Sequence, residues 1–229
     1  TWSQLVNHQY LTSQGIYGVA VGVVATYVFH FVLFGVLATR IGLGQLFLDI
    51  ASSIAGRYAG GPAKVSVFGS AMFGMLSGSS VANAVTVGSL TIPAMIRVGY
   101  KREFAGAVEA ASSTGGQITP PVLGAAAFLI AEFLKISYLD VIRMAVFPTL
   151  LYYFSLYFMV ELDARKYGMS EGAFEAVESA WTLAKRYWYH FLSLASIVVF
   201  MMMGFSPTLS VFWATVTAFF VSFFQRETA

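Results

Sequence analysis

Residues 77–83 read Ser77-Gly78-Ser79-Ser80-Val81-Ala82-Asn83 and interrupt an apolar stretch that runs from Pro62 to Ile96. Each apolar arm beside this interruption holds ~15 residues and would be ~22 Å long as a helix. That length is shorter than the ~30 Å hydrocarbon core of a bilayer. Two short helices that meet at a Gly/Ser/Asn tip predict a re-entrant hairpin over residues 61–99, with its tip near the middle of the membrane.

A second interruption lies in the apolar stretch from Glu103 to Lys135. Residues 112–121, Ser-Ser-Thr-Gly-Gly-Gln-Ile-Thr-Pro-Pro, occupy its centre. Two glycines and two prolines disfavour a continuous helix there. We therefore predict a broken helix over residues 100–136, whose second half begins near Pro120 because proline suits a first helical turn.

The composition places the chain in a membrane. Apolar residues make up 58% of the chain and charged residues only 10%, whereas a soluble domain carries roughly 25% charged residues. An all-α integral membrane protein in contact with lipid is therefore predicted. The net charge of +2 argues against a nucleic-acid partner, and the lack of cysteine excludes disulfides, thiolate metal sites and cysteine nucleophiles.

The basic residues predict an orientation. If the Arg40 end of the first span is cytoplasmic, all thirteen Lys and Arg residues except Lys135 and Arg143 fall on that side, in agreement with the positive-inside rule. Both ends of the hairpin then carry basic residues on the same face of the membrane. This placement fits re-entry, because a full span would put its two ends on opposite faces.

The two interruptions carry the chemistry of a transport site. Unwound backbone exposes carbonyls to a cation, and the N-terminus of a half-helix presents N–H groups to an anion. Sodium is a hard cation that prefers oxygen ligands, and neutral hydroxyl oxygens are supplied by Ser79, Ser80, Ser113, Thr114 and Thr119. Small residues also occur where membrane helices pack closely. Two clusters, each in the middle of an apolar segment, favour a functional role over packing.

Isolated polar residues in the apolar segments have several interpretations. Glu109 lies one turn before the second interruption, so it is a candidate for ion or proton coupling; simple hydrogen bonding to neighbouring hydroxyls is the alternative. Glu132 lies three residues from Lys135 and is predicted to form an ion pair at the interface. His30 and His190 are predicted to be packing or interface residues rather than proton relays.

Several linked motifs resemble the large membrane subunit of tripartite ATP-independent periplasmic (TRAP) transporters. The motifs are Gly61-Pro62-Ala63-Lys64, the 77–83 segment, Thr91-Ile92-Pro93, Ala105-Gly106-Ala107-Val108-Glu109-Ala110 and residues 113–121. The resemblance covers most of residues 15–225 and is closest to the TAXI branch, in which the small and large membrane parts are often fused. It shows no second hairpin and broken helix after Trp188, so we expect this chain to be a fragment of a protein that extends in both directions.

The resemblance implies one half of an elevator-type importer in the inner membrane of a bacterium or archaeon. A periplasmic TAXI-type binding protein would deliver a carboxylate, a small membrane subunit or its fused equivalent would complete the permease, and a sodium gradient, or a proton gradient, would drive uptake. No cofactor other than the coupling ion and no enzymatic activity is expected. The resemblance implies one ion site, with sodium as the expected ion, at Ser79, Ser80 and Asn83 of the tip and at the carbonyls of Gly115, Ile118 and Pro120.

These expectations combine into one organisation and one candidate site. The predicted segments are a periplasmic segment (1–15), a first span with an interfacial helix (16–60), the hairpin (61–99), the broken helix (100–136), a span (137–166), a cytoplasmic linker (167–186) and the first two spans of a second half (187–229). The interfacial helix is predicted from an apolar stripe opposite a polar line, and a short buried span is the alternative. The stripe is Leu43, Leu46, Phe47, Ile50 and Ile54, and the polar line is Gln45, Asp49 and Ser53. The candidate ion- and substrate-binding residues are Ser77, Gly78, Ser79, Ser80, Asn83, Ser113, Thr114, Gly115, Gly116, Ile118, Thr119 and Pro120.

Three other functions are open on the sequence alone. One is a broken-helix carboxylate or ion transporter of a different family. Another is an intramembrane serine hydrolase that uses Ser79 or Ser80 with His190, although no nucleophile-elbow pattern surrounds these serines and no acid is placed to orient the histidine. The third is a structural membrane scaffold, which predicts that Gly115 and Pro120 can be replaced without loss of function.

Overall fold

The computed structural model describes residues 1–12, 15–168 and 178–223, and within these ranges the chain forms helices without strands. The helices are α1 (Trp2–Tyr10), α2 (Val19–Val23), α3 (Phe29–Arg40), α4 (Leu43–Ala55), α5 (Gly61–Ser77), α6 (Ser80–Arg97), α7 (Arg102–Thr114), α8 (Ala125–Leu134), α9 (Tyr138–Lys166), α10 (Ala180–Arg186), α11 (Trp188–Met202) and α12 (Pro207–Phe223). A π-helical turn over Val24–Val28 joins α2 to α3.

Two helices among the described residues are long and apolar enough to cross a membrane by length and composition. They are Val19–Arg40, with a mean hydropathy of 2.2, and Tyr138–Lys166, with a mean hydropathy of 1.4. Helices α4, α8, α11 and α12 are also apolar but shorter. The two spans predicted within residues 187–229 fall on α11 and α12, and residues 224–229 lie outside the described part.

Helices α5 and α6 form an antiparallel pair around the 77–83 segment. Helix α5 begins after Gly60, which has a left-handed backbone, and carries Pro62 in its first turn, where a missing N–H costs nothing. It ends at Ser77, and Gly78 follows with φ of +56°. Ser79 then caps α6 by accepting a hydrogen bond from the Ala82 N–H at 3.4 Å. The turn between the two helices therefore takes only Gly78 and Ser79.

Helix α7 ends where the second interruption was predicted, but the next helix begins later than expected. A 3₁₀ turn covers Gly115–Ile118, and α8 starts at Ala125 rather than near Pro120. Pro120 and Pro121 lack N–H groups, and Leu123 has φ of +53°, so the backbone cannot enter an α-helix before Gly124. The Tyr138 hydroxyl instead donates to the Val122 carbonyl and holds this non-helical segment.

Helix α4 is buried more completely than the predicted stripe requires. Ten of its thirteen residues are buried, including Ser53, while Ile54 of the predicted apolar stripe is exposed. Helices α5 and α10 pack against it. The polar line is present in part, because Gln45 donates to Asp49 at 2.9 Å. The position of α4 at the membrane surface stays a prediction.

Other local predictions have mixed outcomes. The ion pair between Lys135 and Glu132 is confirmed, with 2.8 Å between Nζ and Oε1. The segment at 1–15 contains α1, and the segment at 167–186 contains α10, while residues 169–177 of that segment lie outside the described part. His30 is partly exposed on α3, and its Nδ1 lies 2.6 Å from the Thr26 carbonyl.

An ion pair joins the start of α5 to the end of α9. The Lys64 ammonium is almost completely buried and contacts the Glu161 carboxylate, which also accepts a hydrogen bond from Arg165 at 2.6 Å. The start of the hairpin and the end of α9 are thereby held together. A buried charge needs such a partner, because removal of one member strands the other.

Replacement of Glu161 by alanine is expected to destabilise the protein by about 3 kcal/mol or more, because it leaves the buried Lys64 ammonium unpaired. Arg165→Ala is the matched control: its side chain is 75% exposed, so the expected cost is below about 1 kcal/mol. Unfolding of the purified protein in detergent, followed by circular dichroism, measures both. Equal stability of the two variants would contradict a structural role for the Lys64–Glu161 pair.

Candidate functional site

The tip of the hairpin packs directly against the backbone that follows the 3₁₀ turn. A Cβ placed on Gly78 would lie 2.0 Å from the Leu123 carbonyl oxygen, and one on Gly124 would lie 3.2 Å from the Gly78 carbonyl oxygen. The contact continues down α5, where a Cβ on Gly74 would lie 2.5 Å from the Gly116 Cα. Glycine is required at Gly74 and Gly78 because two backbones meet there without room for a side chain.

Side chains add hydrogen bonds across the same contact. Gln117 Nε2 donates to the Ser80 hydroxyl at 2.7 Å. Asn83 is fully buried, its Nδ2 donates to the Ser70 carbonyl at 2.9 Å, and its Oδ1 has no hydrogen-bond partner among the described residues. A Cβ on Gly116 would lie 2.8 Å from Asn83 Nδ2. Ser80 and Gln117 are 37 residues apart in sequence, and their hydrogen bond helps to join the two interruptions into one continuous polar junction.

Most carbonyls of the non-helical segment already accept a hydrogen bond. The Gly115 carbonyl accepts from the Thr119 hydroxyl at 2.8 Å, the Ile118 carbonyl from the Thr149 hydroxyl at 2.5 Å, and the Gln117 carbonyl from the Gly124 N–H at 2.7 Å. No hydrogen bond to the Pro120 carbonyl is found within the described ranges. Because a carbonyl oxygen has two lone pairs, those of Gly115 and Ile118 keep one each for a cation.

Helix termini of both kinds converge on this junction. Helices α5 and α7 end there with the negative ends of their dipoles, while α6 and α8 begin there with the positive ends. A cleft of about 350 Å³ opens beside them and is lined in part by Ser77, Gly78, Ser79 and Gln117. The arrangement offers carbonyl oxygens to a cation and helical N–H groups to an anion in one place.

Glu109 lies behind the junction in a cage of hydroxyl groups. It is 2% exposed. Its carboxylate lies 2.8 Å from the Ser66 hydroxyl, 2.5 Å from Thr91, 2.9 Å from Ser113 and 3.5 Å from Ser70. Both arms of the hairpin and α7 itself contribute donors. A Cβ on Gly88 would lie 2.9 Å from Glu109 Cγ, so glycine allows this close approach.

Two predicted site residues do not join the junction. The Ser113 hydroxyl is buried and donates to Glu109. The Thr114 hydroxyl donates to the Ala110 carbonyl of its own helix at 2.8 Å, and Thr114 is exposed. The structure brings together the tip residues, Asn83 and the segment from Gly115 to Pro120. The predicted site did not include the hydrogen-bonding partners of this segment on α9, which are Thr149, Tyr152 and Tyr153. It also did not include the hydroxyls around Glu109, which belong to Ser66, Ser70 and Thr91.

The geometry does not assemble a hydrolase. The Ser80 hydroxyl accepts from Gln117, and Ser79 caps α6. His190 is buried in α11 against Tyr187 and Tyr189, and its Nδ1 has no hydrogen-bond partner among the described residues. No described contact links this histidine to either serine. The packing role predicted for His190 agrees with this environment.

Comparison with known proteins places these features in a family. The family model described as "Tripartite ATP-independent periplasmic transporter, DctM component" matches residues 1–229. The C4-dicarboxylate TRAP transporter large permease protein DctM of Rhodobacter capsulatus is 26% identical over 207 residues, which cover 85% of this chain and 47% of that protein. The protein of the same name from Vibrio cholerae is 29% identical over 198 residues, which cover 85% of this chain and 43% of that protein.

A shorter match extends to other permeases. The sialic acid TRAP transporter permease protein SiaT of Haemophilus influenzae is 35% identical over 91 residues, which cover 40% of this chain and 15% of that protein. All three relatives carry the names of permeases rather than enzymes. The chain spans about half the length of the first two relatives.

Proposed function

Because the chain belongs to the TRAP transporter family as its DctM component, we propose that it supplies the transport core of a secondary importer of an organic anion. The observation that carries the proposal is the junction at which the turn of the α5–α6 hairpin packs on the backbone between α7 and α8. Two interrupted helical segments that meet in this way offer carbonyl oxygens with a free lone pair and helical N–H groups to a solute.

The proposal assigns sodium to the junction. Ser79, Ser80 and the carbonyls of Gly115, Ile118 and Pro120 are the proposed ligands, and they are neutral oxygens of the kind that suits a hard cation. The Oδ1 of buried Asn83, which has no hydrogen-bond partner among the described residues, adds an amide oxygen close by. Ser77, Gly78, Gly116 and Thr119 shape the same junction. Glu109 keeps the proposed coupling role, since its carboxylate connects both hairpin helices to α7.

The substrate is proposed to be a carboxylate. Two relatives are named as C4-dicarboxylate permeases and a third as a sialic acid permease, and each of these compounds is an organic anion. The N-termini of α6 and α8 beside the 350 Å³ cleft suit a carboxylate group. Assignment to the TAXI branch stays a prediction.

The proposed setting is the inner membrane of a bacterium or archaeon, with α5–α6 as a re-entrant hairpin and α7–α8 as a broken transmembrane helix. A periplasmic binding protein would deliver the substrate, and a small membrane subunit or fused equivalent would complete the permease. The hairpin and α7 would then carry the solute in an elevator motion, together with α9, which is joined to the hairpin by Lys64 and Glu161.

Uptake by the intact transporter in proteoliposomes tests this function. Vesicles are supplied with the binding protein and with labelled succinate or sialic acid, under an inward sodium gradient, a proton gradient or a matched N-methylglucamine gradient. Accumulation under the sodium gradient alone is the expected result. Accumulation under the proton gradient alone would show that the proton is the coupling ion instead of sodium. Lack of uptake of either carboxylate under every gradient would contradict the proposal.

A further inference from the structure

Three hydroxyl groups on one face of α9 bind backbone carbonyls at the start of the second interruption and within it. The Tyr152 hydroxyl donates to the Ala111 carbonyl at 2.6 Å, and the Tyr153 hydroxyl donates to the Ser112 carbonyl at 3.2 Å. The Thr149 hydroxyl lies 2.5 Å from the Ile118 carbonyl and 2.7 Å from the Ala145 carbonyl of its own helix, and we assign its one proton to the shorter contact. Thr149, Tyr152 and Tyr153 are spaced three and four residues apart, so they share one face of the helix.

The carbonyls that these residues reach are those that an ending helix leaves without partners. Ala111 and Ser112 lie in the last turn of α7, where intrahelical donors run out. Ile118 ends the 3₁₀ turn and has no following helix to donate to it. In an apolar medium an unsatisfied carbonyl is costly, so α9 supplies donors where water is scarce.

The fit between α9 and the interruption is close. A Cβ on Gly115 would lie 2.7 Å from ring atoms of both Tyr152 and Tyr153. The two rings pack edge to face with centroids 5.6 Å apart. Thr119 adds a further link, because its hydroxyl donates to the Gly115 carbonyl and lies 3.4 Å from the Tyr153 hydroxyl. The backbone of the 3₁₀ turn is thus confined between the hairpin on one side and α9 on the other.

We propose that Thr149, Tyr152 and Tyr153 are positioning residues for cation binding, which hold the Ile118 carbonyl and the end of α7 in the orientation that a cation needs. This role rests on the proposed function of the junction. The Thr149 hydroxyl uses one lone pair of the Ile118 oxygen and leaves the other for the cation. Binding then requires little rearrangement of the backbone, and loss of the hydroxyl makes the carbonyl free to turn away.

The chain provides matched controls for this role. Thr149→Val removes the hydroxyl at nearly constant volume, while Thr149→Ser retains it. Tyr152→Phe and Tyr153→Phe remove the two phenol hydroxyls. Tyr157→Phe makes the same chemical change one turn further along α9, where the ring packs on Phe68 and no hydrogen bond of its hydroxyl is found among the described residues.

The test is the sodium concentration that gives half-maximal uptake by each variant in proteoliposomes, with the maximal rate and the unfolding temperature in sodium-free buffer measured alongside. Thr149→Val, which loses one hydrogen bond, and the double variant Tyr152→Phe/Tyr153→Phe, which loses two, are each expected to raise this concentration about five- to tenfold or more. The maximal uptake rates of these two variants should stay close to that of the wild type. In the controls Thr149→Ser and Tyr157→Phe, the sodium concentration for half-maximal uptake should stay within about twofold of the wild-type value.

An unchanged sodium requirement in both test variants overturns the positioning role, even if their unfolding temperatures fall, because that pattern describes packing alone. A separate result would be wild-type uptake that does not depend on sodium. That result would contradict the assignment of sodium to the junction, and it would also contradict the positioning role, which rests on that assignment. A raised sodium requirement in Tyr157→Phe as large as that in Tyr152→Phe/Tyr153→Phe would also overturn the role, since the effect would not depend on the hydrogen bonds.

Discussion

Replacement of Gly78 by alanine is expected to abolish uptake. The new Cβ would lie 2.0 Å from the Leu123 carbonyl oxygen, and the backbone at this position has φ of +56°. The new Cβ is held rigidly by the backbone, and the atom that it meets is a backbone oxygen, so no change of side-chain rotamer can relieve the clash. The turn must therefore move away from the non-helical segment. Separation of the two segments would remove the site while most of the helical packing remains. Uptake of labelled substrate should fall at least about a hundredfold, as expected when reacting groups are misplaced by about 1 Å.

Gly106→Ala is the matched control for this experiment. Gly106 lies in α7, and a Cβ there meets no atom within 4 Å. Alanine is also the better helix former, by about 1 kcal/mol, so uptake and folding should be retained. Normal uptake by the Gly78→Ala protein would show that the close contact between the turn and Leu123 is not needed, and the junction would lose its proposed role.

Replacement of Glu109 by glutamine is expected to weaken cation coupling without unfolding the protein. Glutamine keeps the shape and one carbonyl oxygen, and the surrounding hydroxyls can rotate to accept from its amide. The negative charge behind the junction is lost, however, and a buried charge near a cation site favours binding of the cation. The sodium concentration for half-maximal uptake should rise about tenfold or more, corresponding to about 1.4 kcal/mol.

Two further variants separate charge from packing. Glu109→Leu removes the carboxylate that accepts from the Ser66 and Ser113 hydroxyls, while Thr91 keeps the Val87 carbonyl at 3.0 Å, so a loss of stability of about 3 kcal/mol is expected. Glu132→Gln removes a charge from a largely exposed ion pair and should leave uptake almost unchanged. Wild-type sodium dependence in Glu109→Gln would reduce Glu109 to a structural hydrogen-bonding residue.

The sequence predicts the two interruptions well because local chemistry determines them. Gly78 supplies the left-handed backbone that ends α5, and Gly115, Gly116, Pro120 and Pro121 prevent a continuous helix. The start of α8 at Ala125 is harder to predict, because Leu123 adopts φ of +53° and the Tyr138 hydroxyl donates to the Val122 carbonyl from another helix. Proline near a helix start is a local preference, and the conformation of the residues after Pro121 overrides it here.

The partners of the site depend on side-chain direction, which composition does not reveal. Ser113 and Thr114 are neighbours with similar chemistry, yet one faces Glu109 and the other bonds its own helix. The spacing of Ser66 and Ser70 by four residues does predict a shared helix face, but not that Glu109 lies opposite it. The sequence does not indicate that the α9 hydroxyls belong to the site, because residues 137–166 have the pattern of an uninterrupted span.

The central claim is that the hairpin turn and the segment after α7 bind the coupling cation together. Hydrogen–deuterium exchange of the purified intact transporter, measured by mass spectrometry in sodium and in N-methylglucamine at equal ionic strength, tests it most directly. The account predicts that sodium slows exchange in peptides covering both 77–84 and 113–124, and leaves those in 207–223 unchanged. Protection of only one of the two segments, or of neither, would contradict it.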